Sequence, residues 1–178
     1  MGKMVGTDIK IRTTKQRMAV SGGMEMKSGG KKSILFLCTG NSCRSQMAEA
    51  WTKALHHGSF DVFSAGIEPH QLDSRAVKVM WEAGIEMVGH YAKHVDELKE
   101  ISFDFIITVC DHAKEHCPFF PGTHKILHKG FEDPPVLAKR ARTEEEALEH
   151  YRRIRDEIRV FVEGLPGITK PVKAFPGP

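Results

Sequence analysis

Ser33-Ile34-Leu35-Phe36-Leu37-Cys38-Thr39-Gly40-Asn41-Ser42-Cys43-Arg44-Ser45 is the stretch on which the fold turns. Its first half is a short apolar run, the mark of a buried strand. Thr39-Gly40-Asn41-Ser42 is polar and reads as a loop. A helix is expected from near Arg44 to His57, with Met47, Ala48, Trp51, Ala54 and Leu55 on one face. Gly58 ends it. A loop between a strand and a helix aims backbone N–H groups at one point, and the helix N-terminus adds positive potential. A tetrahedral oxyanion suits such a cradle. Gly40 lets the backbone turn without a Cβ, and Arg44 offers a planar fork for two oxygens. The same field is expected to lower the pKa of Cys38 and make it a nucleophile. Thr39, Asn41, Ser42 and Ser45 supply polar groups around the sulfur, and Cys43 reads as packing. Cys-x5-Arg alone arises often by chance, and Cys38 could be an ordinary buried cysteine at a strand end. The place of the pattern between strand and helix favours the anion site.

Outward from this stretch, strands and helices alternate. Phe60–Ala65 reads as a second strand. Asp73 is positioned to cap a helix through Val77, Met80 and Trp81 that ends at Gly84. A short helix is expected over Val95–Lys99, and the most apolar strand over Phe103–Val109. Lys125–Leu127 is a weaker fourth strand. Thr143 caps a last amphipathic helix, with Glu146 placed as in a capping box. Leu148, Tyr151, Ile154, Ile158, Phe161 and Val162 mark its buried side. Alternation of this kind predicts a single α/β domain with a four-stranded parallel sheet flanked by helices. Ligands of such sheets sit at the carboxyl ends of the strands. Cys38 ends the first strand and Cys110 the third, so one edge is expected to hold both.

The domain is expected over residues 31–165. Residues 1–30 are rich in Gly, Lys, Thr and Met and read as a flexible extension, and 166–178 as a C-terminal tail. The 178 residues suit one domain. A net charge of +3 is too weak to argue for nucleic acid, although it mildly favours anions. No run approaches the roughly 18 apolar residues of a membrane helix. The four cysteines, without a visible secretory signal, point to catalysis, redox exchange or metal in the cytoplasm.

The loop Cys38-Thr39-Gly40-Asn41-Ser42-Cys43-Arg44-Ser45 resembles the phosphate-binding loop of the low-molecular-weight protein tyrosine phosphatases. It resembles more closely the variant loop of the thioredoxin-coupled arsenate reductases of the same superfamily. Gln46-Met47-Ala48-Glu49-Ala50 and Ser64-Ala65-Gly66 share the likeness, which covers roughly residues 32–165. It implies the low-molecular-weight phosphatase fold, arsenate as substrate, thioredoxin as reductant and a monomer.

The resemblance also gives weight to Glu132-Asp133-Pro134-Pro135. An acid there would protonate the departing oxygen so that it leaves as water. Taken alone the segment is an ordinary surface turn; both enzyme families place an Asp-Pro here, so the resemblance implies Asp133 as the acid, with Glu132 a lesser candidate. The phosphatases usually follow with an aromatic residue that stacks on a phenyl ring. Pro135 has no such π-face, and an inorganic anion needs none.

Cys110-Asp111-His112-Ala113-Lys114-Glu115-His116-Cys117-Pro118 separates the two families. A phosphatase needs one cysteine, whereas a reductase needs more thiols within reach. By residue type alone, Cys110, His112, His116 and Cys117 could bind zinc, or the cysteines could fill the core. The resemblance implies instead that Cys110 attacks Cys38 and that Cys117 then attacks Cys110. A straight helix would hold Cys110 and Cys117 about 10 Å apart, while a disulfide tolerates about 7 Å. Bonding them is therefore expected to melt the helix and carry the disulfide outward.

No tightly bound cofactor is expected. Some relatives hold potassium beside the loop, through positions matching Asn41, Glu49 and Ser64 and an acidic residue after the second helix. Lys93 falls where that acid often sits, which puts a potassium ion in doubt here. Two further functions fit the residues less well: a phosphatase for phosphotyrosine or another phosphomonoester, and a non-enzymatic oxyanion-binding or redox-sensing protein.

Overall fold

The computed structural model describes residues 30–122 and 124–169. Apart from Gly30, the expected N-terminal extension lies outside the described residues, as does the tail from residue 170 onward. The elements are β1 (Lys32–Cys38), α1 (Arg44–Leu55), β2 (Phe60–Gly66), α2 (Ser74–Glu82), a 3-10 helix (Val95–Leu98), β3 (Phe105–Thr108), α3 (Asp111–Glu115), β4 (Lys125–His128), α4 (Pro134–Ala138), α5 (Glu144–Glu163) and α6 (Leu165–Ile168).

The four strands form one parallel sheet in the order β2-β1-β3-β4. This is the architecture that the alternating pattern predicts. β1 is central, so Ile34, Leu35, Phe36 and Leu37 are all fully buried and form an unbroken apolar run. β4 is an edge strand and largely exposed, which explains its weak sequence signal. Pairing brings Leu37 beside Thr108 and Cys38 beside Gly66. The carboxyl ends of three strands thus meet at the loop that follows Cys38.

α5 packs against α1, α2 and α4. Ala147, Leu148, Tyr151, Ile154, Ile158 and Val162 are its buried stripe, while Phe161 is half-buried. Thr143 Oγ1 accepts from Glu146 N at 3.1 Å, but Glu146 Oε2 accepts from Arg142 N rather than closing a capping box on Thr143. Asp73 caps α2 as expected, accepting from the N–H groups of Arg75 and Ala76. Its other oxygen accepts from the Tyr151 hydroxyl at 2.7 Å, which fastens α2 to α5.

Trp81 is 69% exposed, and Ala76, Val79 and Met80 form the inward face of α2. Two expectations need correction. Residues 134–138 are not a plain loop; Pro134 and Pro135 open α4, where their fixed φ suits a first helical turn. The packed chain also runs past residue 165. Leu165 and Thr169 are buried, and Lys32 Nζ donates to the Thr169 carbonyl. No helix among the described residues is long and apolar enough to cross a membrane.

Candidate active site

The loop after β1 closes around a sulfur. Cys38 is buried, and its Sγ accepts from Asn41 N at 3.1 Å and lies 2.9 Å from Ser45 Oγ. Asn41 adopts a left-handed φ of 46°, rare for a residue with a side chain, and its own polar groups hold it there. Asn41 Nδ2 donates to Ser45 Oγ at 2.8 Å and to Ser64 Oγ at 2.9 Å. Asn41 Oδ1 accepts from Gln46 Nε2 and from Lys93 N. The strained residue is therefore Asn41, whereas Gly40 leaves room for the exposed His70 ring. A Cβ on Gly40 would meet His70 Nδ1 at 2.8 Å. Gly66 answers a similar demand at the end of β2: a Cβ there would come 2.6 Å from the Thr39 carbonyl oxygen.

Arg44 starts α1 and is nearly buried. Its Nη1 donates to the Phe131 carbonyl at 3.0 Å, and its Nη2 lies 3.4 Å from Asp133 Oδ1. Its Nε is buried and has no hydrogen-bond partner among the described residues. An oxyanion in the loop would supply that partner. The fork is thus only partly free for an anion, since one end holds the Asp133 segment over the loop. The first N–H groups of α1 have no intrahelical acceptor and add to the cradle.

Above the loop lies a cavity of ≈ 330 Å³ whose lining includes Cys38, Arg44 and Asp133. His70, Val136 and Lys139 also line it, and none of them carried a motif signal in the sequence. His70 follows a loop whose path is fixed by the bond from His70 N to the Gly40 carbonyl. Pro135 forms part of the cavity wall. Thr39, Ser42 and Cys43 complete the lining.

The expected lowering of the Cys38 pKa is not what this environment produces. Burial pushes the thiol up, and this outweighs the downward pull of the Ser45 hydrogen bond and the Arg44 guanidinium. Burial pushes the Cys43 thiol well up, helped by the negative Asp73. Burial also raises Cys117.

Cys110 caps the N-terminus of α3, beside the loop: Thr39 Oγ1 lies 3.4 Å from Cys110 Sγ. The sheet thereby brings together two cysteines far apart in sequence. Cys117 lies beyond α3 and is half-buried. All four cysteines are free thiols. Among the described residues no three His, Cys, Asp or Glu side chains converge to hold a metal ion.

Below the loop, Glu49 is buried and receives Ser64 Oγ and Lys53 Nζ, each at 2.5 Å. Lys93 Nζ lies 3.8 Å from the second carboxylate oxygen and also sits over the Tyr91 ring, 4.6 Å from its centroid. Two ammonium groups already balance this carboxylate.

A strand-end thiol, an arginine at the following helix N-terminus and an opposed Asp-Pro define a cysteine-based enzyme site for tetrahedral oxyanions. The chain belongs to the low molecular weight phosphotyrosine protein phosphatase family, whose model matches residues 33–166. It is 46% identical over 128 residues to an arsenate reductase of Halalkalibacterium halodurans, covering 72% of this chain and 90% of that protein. A solved arsenate reductase in its phosphate-binding state shares 28% identity at a TM-score of 0.62, covering 78% of this chain and 99% of the other. A low molecular weight protein tyrosine phosphatase from T. tengcongensis shares 25% identity at a TM-score of 0.61, over 78% of this chain and 99% of that one.

Proposed function

We propose that this protein reduces arsenate to arsenite in the cytoplasm and draws its electrons from a thioredoxin-type dithiol. The observation that carries the reading is the approach of Cys110 to the anion loop, bridged by Thr39. A phosphatase has no use for a second thiol there. The likeness to named arsenate reductases supports it.

Arsenate enters the cradle and supplies the missing partner of Arg44 Nε. Cys38 attacks arsenic, and one oxygen leaves as water, protonated from Asp133. The Cys38 thiol proton passes to an arsenate oxygen in the same step. Cys110 then attacks Cys38 Sγ. The sulfur–arsenic bond breaks, its electron pair stays on arsenic, and arsenite departs from a Cys38–Cys110 disulfide. Cys117 attacks Cys110 and releases Cys38. A dithiol partner reduces Cys110–Cys117 and takes the oxidation away. Glu49 needs no bound potassium on this reading, because Lys53 and Lys93 supply the positive charge.

Arsenate-dependent NADPH oxidation in the presence of thioredoxin and thioredoxin reductase tests the proposal. Sustained oxidation, abolished in Cys38→Ser, is the expected result. Absence of oxidation with efficient hydrolysis of an aryl phosphate would move the protein to the phosphatases, a second reading that the shared loop permits.

A further inference from the structure

Three residues around Cys110 form a chain of contacts that the steps above do not use. Thr108 is fully buried at the end of β3, and its Oγ1 lies 3.0 Å from His128 Nδ1 at the end of β4. His128 Nε2 lies 3.2 Å from Asp111 Oδ1, on the first residue of α3. Thr108 precedes Cys110 by two positions and Asp111 follows it directly. The ring of His128 thus ties the sheet to the turn that carries Cys110. Gly130 keeps room for this tie: a Cβ there would come 3.2 Å from His128 Nε2 and 3.9 Å from Asp111 Oδ1.

We propose that His128 is a positioning residue for Cys110, holding α3 in place in the dithiol state and letting go of Asp111 when Cys110 bonds Cys117. The inference rests on the assignment of Cys110 and Cys117 as a redox pair. The disulfide needs the two Cα atoms within about 7 Å, and the five helical residues Asp111–Glu115 stand between Cys110 and Cys117. Drawing the two cysteines together is expected to unwind this single turn of helix. Asp111 belongs to its first turn and loses its place beside His128. A contact made only in the dithiol form shifts the equilibrium toward that form. Reduction then runs more readily: the Cys110–Cys117 bond breaks, two electrons and two protons arrive, and the partner's two thiols become its disulfide. A residue that merely stiffened the sheet would stabilise both redox forms alike and leave this equilibrium unmoved.

The test uses the full chain carrying Cys38→Ser and Cys43→Ser, with Cys110–Cys117 equilibrated against reduced and oxidised dithiothreitol. His128→Gln and Asp111→Asn are each expected to shift the equilibrium toward the disulfide by about three- to tenfold, or about 14–30 mV at 29.6 mV per tenfold. The double variant is expected to shift it no further than either single one. Unchanged equilibria, or fully additive shifts, would overturn the proposal. Asp111 is exposed at the surface, so Asp111→Asn carries the test even if His128→Gln does not fold. Mass spectrometry after one arsenate turnover, with Cys38 and Cys43 intact, reports separately on the redox pair. Absence of a Cys110–Cys117 disulfide there would sink the cascade, whereas equal potentials would sink only the tie.

Discussion

The Ser45 hydroxyl lies 2.9 Å from the Cys38 sulfur, and it is the largest of the influences that favour the thiolate against burial. Removing it leaves burial less opposed, so Ser45→Ala is expected to raise the Cys38 pKa further. Iodoacetamide alkylation, followed against pH in a chain lacking the other three thiols, reads this directly. The parent is expected to show a midpoint above the ordinary cysteine value of about 8.5, and Ser45→Ala a higher one. Activity at neutral pH should fall about tenfold, equivalent to about 1.4 kcal/mol. A parent midpoint below the ordinary value would mean that the loop's field wins over burial after all.

Asp133 sits against Arg44 without being needed to hold it, because the Phe131 carbonyl also accepts from the guanidinium. Asp133→Asn should therefore spare the cradle and remove only the proton donor. Adduct formation on Cys38 in a single arsenate turnover is expected to slow by about 10²–10⁴-fold. Phosphate affinity, measured by calorimetry, should hold or tighten as a negative charge leaves the rim. Parallel loss of both would point to a collapsed loop and not to a missing acid.

The balance around Glu49 gives a different kind of test. Its carboxylate is buried between Lys53, Lys93 and Ser64. Turnover should then be the same, within about a factor of two, in potassium and sodium buffers of equal ionic strength. Lys93→Ala leaves one side of a buried carboxylate without its counter-charge, at a cost of up to about 3–5 kcal/mol, less the share that Lys53 still supplies. Added potassium should restore part of the lost melting temperature in that variant. Strong potassium activation of the parent would show that the lysines do not replace the ion.

Cys117 stands apart from the anion loop, beyond α3. Cys117→Ser should release one equivalent of arsenite and stop, with Cys38 and Cys110 joined. Quantifying arsenite per protein, with peptide mapping of the disulfide, checks this. Sustained thioredoxin-dependent turnover would remove Cys117 from the cascade.

The parallel four-stranded sheet and the placing of Cys38 and Cys110 at one edge of it were legible in the sequence because both rest on strong local signals, whereas the strand order β2-β1-β3-β4 comes from the tertiary fold alone. β1 and β3 are continuous apolar runs, and each cysteine closes one of them. The edge strand β4 was faint, since its half-exposed residues bury little. α4 was hidden because two prolines after an aspartate read equally well as a turn or as a first helical turn. His70 and Lys139 left no trace at all, being brought to the pocket by loop and helix paths that only the tertiary fold sets. The burial that opposes a lowered Cys38 pKa is hidden for a related reason. The sequence displays the donors around the sulfur but not the depth at which the fold places it.

Gly66 offers the sharpest steric test of how β2 supports the loop. A Cβ there would lie 2.6 Å from the Thr39 carbonyl oxygen and 2.9 Å from Asn41 N. Both are backbone atoms, which cannot swing aside as a side-chain tip can. Asn41 N also donates to Cys38 Sγ, so any shift that relieves the clash loosens the sulfur. Gly66→Ala should lower stability by about 1–3 kcal/mol and weaken phosphate binding by more than tenfold. Gly167→Ala is the control, since its Cβ would enter open space; it should leave phosphate binding unchanged. Chemical denaturation and phosphate calorimetry on both variants separate the two effects. If Gly66→Ala bound phosphate like the parent, β2 would not be what fixes the loop.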